Sequence, residues 1–88
     1  MKATETTTTA MTLAKDDIKK IGHTMFEEDG NLSIICNAET ANIEELMLRS
    51  ILELFGYSIS EVTDFQWENG TTDIRISTNM PWNEYKQI

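Results

Sequence analysis

Two helices on one face of an antiparallel sheet made of two β-hairpins, an α+β fold in the order α-β-β-α-β-β, is what the chain predicts. Three observations carry this. Asn69-Gly70 stands between two runs rich in β-branched and aromatic residues, the strongest short-range hairpin signal. Asp29-Gly30 stands between HTMFEE and NLSIIC, a second signal of the same kind. Between the two hairpins, Ile43, Met47, Ile51, Leu54 and Phe55 recur at helical spacing.

Residues 1–11 are Thr-rich with little to bury and read as a disordered leader, followed by a single domain over 12–88. Ala14, Ile18, Ile21 and Met25 follow at +4, +3 and +4, a helical pattern that Thr12 can cap and Gly22 can stop. Continuing that helix to Glu28 crowds Glu27, Glu28 and Asp29 at its negative end. A strand is therefore the better reading. A two-residue turn at Asp29-Gly30 sets Met25 against Ile34, Glu27 against Leu32, Phe26 against Ser33, Thr24 against Ile35 and His23 against Cys36.

In the central helix the apolar stripe is widened by Leu48 and Leu52, and Asn42 with Glu45 suggests a capping box. Glu45, Arg49 and Glu53 follow at i, i+4 on a charged side. Gly56 supplies a left-handed ending, with Tyr57 placed to pack back.

For the second hairpin, a two-residue type I′ loop at Asn69-Gly70 pairs Trp67 with Thr72, Phe65 with Ile74 and Thr63 with Ile76 on an apolar face. The alternate side chains then pair Asp64 with Arg75, Gln66 with Asp73 and Glu68 with Thr71 on a polar, mostly acidic face. Pro81 lacks an N–H donor, so the strand is expected to end near Thr78. The tail 79–88 then carries Trp82 and Tyr85 in a short helical turn, expected to fold onto the core or to anchor a partner.

Charge is the most informative bulk property: 7 Lys and Arg against 15 Asp and Glu give a net charge of −8 over 88 residues. Residues 21–88 hold Arg49, Arg75 and Lys86 against 12 acidic residues, a net of −9. Such a surface repels nucleic acid, whose binding needs basic residues, and attracts basic proteins. No apolar run approaches a membrane span and the Thr-rich start lacks a signal's apolar stretch, so a cytoplasmic location is expected, with no membrane partner.

The inventory for chemistry is thin. Cys36 is the one cysteine and His23 the one histidine, and there is no Cys-x-x-Cys, no phosphate-binding glycine loop, no G-x-S-x-G and no calcium-loop spacing. The cross-strand His23–Cys36 pair invites a nucleophile reading but lacks an orienting residue. No catalytic residue, cofactor or metal ligand is expected. In size and charge alone the chain resembles the small acidic inhibitors that phages use against host nucleases, including anti-CRISPR proteins and DNA mimics. That resemblance implies a non-catalytic binding module that docks on a basic surface of a nucleic-acid-handling protein and inhibits or modulates it. The expected contacts are Asp64, Gln66, Glu68 and Asp73 with Glu27, Glu28 and Asp29, and Trp82 or Tyr85 as apolar anchors. The alternative is a homo-oligomeric structural or assembly subunit that completes a small core by pairing with itself.

Overall fold

The structure, a computed structural model, describes residues 16–88. The Thr-rich leader over 1–11 and the cap expected at Thr12 lie outside the described residues. The described chain is α+β, with a four-stranded antiparallel sheet and three helical segments. The elements are α1 (described over 16–18), β1 (Thr24–Glu28), β2 (Asn31–Cys36), α2 (Ala41–Leu54), β3 (Ile59–Gln66), β4 (Thr72–Pro81) and α3 (Trp82–Lys86).

The first hairpin has the expected register. Thr24, Met25, Phe26 and Glu27 pair with Ile35, Ile34, Ser33 and Leu32, and Glu28 faces Asn31. Asp29 (φ 53°) and Gly30 (φ 84°) both adopt left-handed backbone, the geometry of a two-residue type I′ turn whose twist matches the strands. The ladder begins at Thr24, so the expected His23–Cys36 pair does not form. The His23 amide donates to the Ile35 carbonyl at 2.9 Å.

The two hairpins share one sheet in the order β1-β2-β4-β3. β4 pairs with β2, setting Ile34 against Ile76 and Cys36 against Ile74. It runs on to Pro81, beyond the end expected at Thr78, because Pro81 occupies the last position of the strand opposite Asn31, past a bulge. Thr78 is buried in that irregular stretch, where its hydroxyl donates to the Leu32 carbonyl (2.8 Å) and accepts from the Met80 amide (3.2 Å).

The core gathers Leu32, Ile34 and Cys36 of β2 and Ile76 and Met80 of β4 with Ala41, Leu48 and Leu52 of α2, Tyr85 of α3, and Ile18 and Ile21. In α2 the buried stripe is thus Ala41-Leu48-Leu52, with Ile51 and Phe55 partly buried beside it. The expected stripe is corrected, since Ile43, Met47 and Leu54 are exposed. The helix starts after Thr40, and the expected Asn42–Glu45 box is replaced by a Thr40 hydroxyl bond to Glu44 Oε2 at 2.8 Å. Its end is as expected. Gly56 (φ 81°) donates to the Glu53 carbonyl and Tyr57 to the Leu52 carbonyl, the paired bonds of a Schellman ending.

Candidate functional site: the open face of the sheet

Side chains alternate across a sheet, so the partners of the core-facing residues point the other way. Ser33 and Ile35 of β2 and Asp73, Arg75 and Ser77 of β4 alternate with Ile34, Cys36, Ile74 and Ile76 and lie on the face away from the core cluster. Which residues of β3 join them depends on the second hairpin.

There the expected register is off by one. Thr63 pairs with Arg75, Phe65 with Asp73, and Val62, Asp64 and Gln66 with Ile76, Ile74 and Thr72. The loop has three residues, Glu68, Asn69 and Gly70, closed by the Trp67 amide on the Thr71 carbonyl (2.9 Å) and the Gly70 amide on the Trp67 carbonyl (3.0 Å). Only Gly70, at φ 92°, is left-handed, the pattern of a type I turn followed by a bulge. Asn69 selects this wider loop: its Oδ1 accepts the Thr71 amide (3.0 Å) and the Thr71 hydroxyl (2.8 Å), a use of the side chain that competes with a bare two-residue turn.

The slip inverts β3. Phe65 and Trp67, expected in the core, sit on the open face, while Asp64 and Gln66, expected to share a face with Asp73 and Arg75, are exposed on the core side of the sheet. This is tolerable because β3 is an edge strand, with Val62 also exposed. Glu68 is exposed in the loop, Glu27 on the edge strand β1, and Asp29 in the first turn. Glu28 lies on the open face, opposite Asn31. Tyr85 is a core residue, 5% exposed, and its burial raises its hydroxyl pKa. Lys19 lies 4.3 Å above its ring, and Trp82, half-buried, packs against it with centroids 5.4 Å apart. The tail therefore closes the core, and the acidic residues expected to act together are divided between two faces.

What the open face brings together was only partly visible in the sequence. A polar belt crosses all four strands. Glu28 Oε2 of β1 accepts from Arg75 Nη1 of β4 at 2.6 Å, and its Oε1 accepts the Ser33 (3.0 Å) and Ser77 (3.3 Å) hydroxyls. Arg75 Nε donates to Thr63 Oγ1 of β3 (3.2 Å), and Nη2 lies 3.7 Å from Glu61. A 200 Å³ recess lined by Glu28, Asn31, Ser33, Glu61, Arg75 and Ser77 opens beside the belt.

Next to it stands an aromatic corner. Phe65 and Trp67 meet edge to face, centroids 4.8 Å apart, an arrangement favoured by the ring quadrupoles. Asp73 Oδ2 accepts from Trp67 Nε1 (2.8 Å) and lies 3.1 Å from His23 Nε2. One carboxylate oxygen thereby ties the tip of β3 to the residue preceding β1. Ile35, 2% exposed, fills the middle of the face.

Cys36 faces the core, on the other side of the sheet from the His23–Asp73 contact. Burial first, then the Glu44 carboxylate, pushes its thiol up to about 12, so it stays protonated. Cys36 and His23 are therefore not paired across the sheet. Among the described residues, no group of three or more His, Cys, Asp and Glu side chains is arranged to hold a metal ion, and no helix is long and apolar enough to cross a membrane. Compared with protein-family models, curated proteins and solved structures, the chain matches none of them.

Proposed function

We propose that this chain is a non-catalytic, acidic protein-binding module that docks the open face of its sheet on a basic surface of a nucleic-acid-handling protein, as an inhibitor or modulator. One observation carries the reading: Phe65 and Trp67, half-buried, lie on a face that no described helix covers, beside a belt whose arginine, Arg75, is already engaged by Glu28 and Glu61. An aromatic anchor within a negative field suits a cationic partner, because the anchor supplies desolvated contact area and the field steers approach and orientation. Exposed Glu68 and Asp29 at the two hairpin tips extend the negative rim.

Capture of partners from the native host tests this with Glu61→Lys/Glu68→Lys and Trp67→Ala beside the unaltered chain. The expected partner has a basic surface, is retained at about 50 mM salt, is released at about 500 mM as ions screen the field, and is lost in both variants. Equal capture by all three proteins at both salt concentrations would overturn the proposal.

A further inference from the structure

The outward side of α2 is a second surface that no described element covers, and its chemistry differs from that of the open sheet. Because Ala41, Leu48 and Leu52 face the core, Ile43 (65% exposed), Leu46 (64%), Met47 (49%) and Leu54 (57%) point to solvent. On a helix of 3.6 residues per turn, positions 43, 47, 50 and 54 form one seam with spacings of four, three and four.

That order reads the same in both directions. A second copy turned end for end therefore sets Ile43 against Leu54 of the second copy and Met47 against its Ser50, large on large at the ends and large into small at the centre. The Ser50 hydroxyl donates to the Leu46 carbonyl at 3.1 Å, so covering it leaves no donor unmet. Arg49, on the flank, is held along its own helix by Glu45 at 2.6 Å. The seam itself carries no charge, so nothing in it selects a basic partner.

We infer that α2 pairs antiparallel with α2 of a second copy of this chain. The four apolar side chains offer roughly 400 Å² per copy, against about 800 Å² per partner in a standard interface, so the dimer is weak and concentration-dependent. Each copy carries −8, and the two repel one another; salt screens that repulsion and strengthens the dimer. Docking on a basic partner responds to salt in the opposite direction, so the two surfaces can be tested separately.

Sedimentation equilibrium from about 10 µM to about 1 mM, at low and high salt, decides it by mass action. The apparent mass is expected to climb from one chain toward two, at lower protein concentration when salt is added. Met47→Glu, which places a carboxylate in the seam twice over, should weaken association at least about tenfold. Ser50→Ala should associate as well as the unaltered chain. Both substitutions are on an exposed helix face, and an unchanged circular dichroism spectrum verifies the fold. A monomer at about 1 mM in high salt, or a dimer indifferent to Met47→Glu, overturns the inference.

Discussion

Replacing Gly22 with alanine should destabilise this protein far more than replacing Gly56, although both glycines have left-handed backbone, at φ 73° and 81°. The shared part is the steric penalty of a side chain at positive φ, about 1–2 kcal/mol. Gly22 adds a second part because it is pressed against β2. A Cβ there would fall 2.7 Å from the Ile35 carbonyl oxygen and closer still to Ile34 Cγ2, whereas at Gly56 nothing lies within 4 Å. The Ile35 carbonyl cannot easily withdraw, since it belongs to a central strand and accepts the His23 amide at 2.9 Å. Overpacking of this kind adds about 1–3 kcal/mol. Any shift of residue 22 also disturbs the hydrogen bond its amide donates to Glu44 Oε1 (2.8 Å), about 1 kcal/mol more. The total is roughly 3–6 kcal/mol against about 1–2 for Gly56→Ala, out of about 4–13 expected for a domain of this size. Urea unfolding followed by circular dichroism compares the two midpoints. Equal losses would refute the claim that the 21–23 segment is seated on β2.

Leu48→Ala is expected to cost about 2–5 kcal/mol and Leu54→Ala less than about 0.5, measured at low micromolar concentration; the reverse order would mean that α2 presents its other side to the sheet. Alkaline pH should erode stability through Cys36, whose pKa is raised from 9.0 to about 12 in the folded protein. The unfolded chain releases the thiol proton first, so this contribution is complete below pH 9 and fades by about 1.4 kcal/mol per pH unit as pH climbs toward 12. Tyr85, raised by burial, and Tyr57, raised chiefly by its hydroxyl bond to Glu84, act in the same direction. Urea midpoints across pH 8–11 measure the slope. Below that range the folded thiol should resist alkylation until the protein unfolds.

Short-range chemistry was legible in the residues themselves. Asp29-Gly30 admits φ > 0 at two successive positions, and that alone set the first hairpin and four of the five residue pairs expected in its ladder, all but His23–Cys36. Gly56 and Tyr57 likewise specified the ending of α2, since the bonds involved span only a few residues. Asn69-Gly70 was ambiguous, because an Asn side chain can cap the backbone two residues on and lengthen the loop by one. That single residue moved Phe65 and Trp67 from the expected core to the open face.

Tertiary structure decided what no local pattern could. Apolar residues cover more than one side of α2, so both the Ile43-Met47-Leu54 and the Leu48-Leu52 stripes satisfy the helical period; contact with Ile34 and Ile76 in the core selected the second. The belt joining Glu28 to Arg75, 47 positions apart, exists only because β4 lies beside β2. Strand order is a choice among long-range pairings that depend on how the whole apolar surface is best buried, and turn and helix preferences extend only a few residues along the chain.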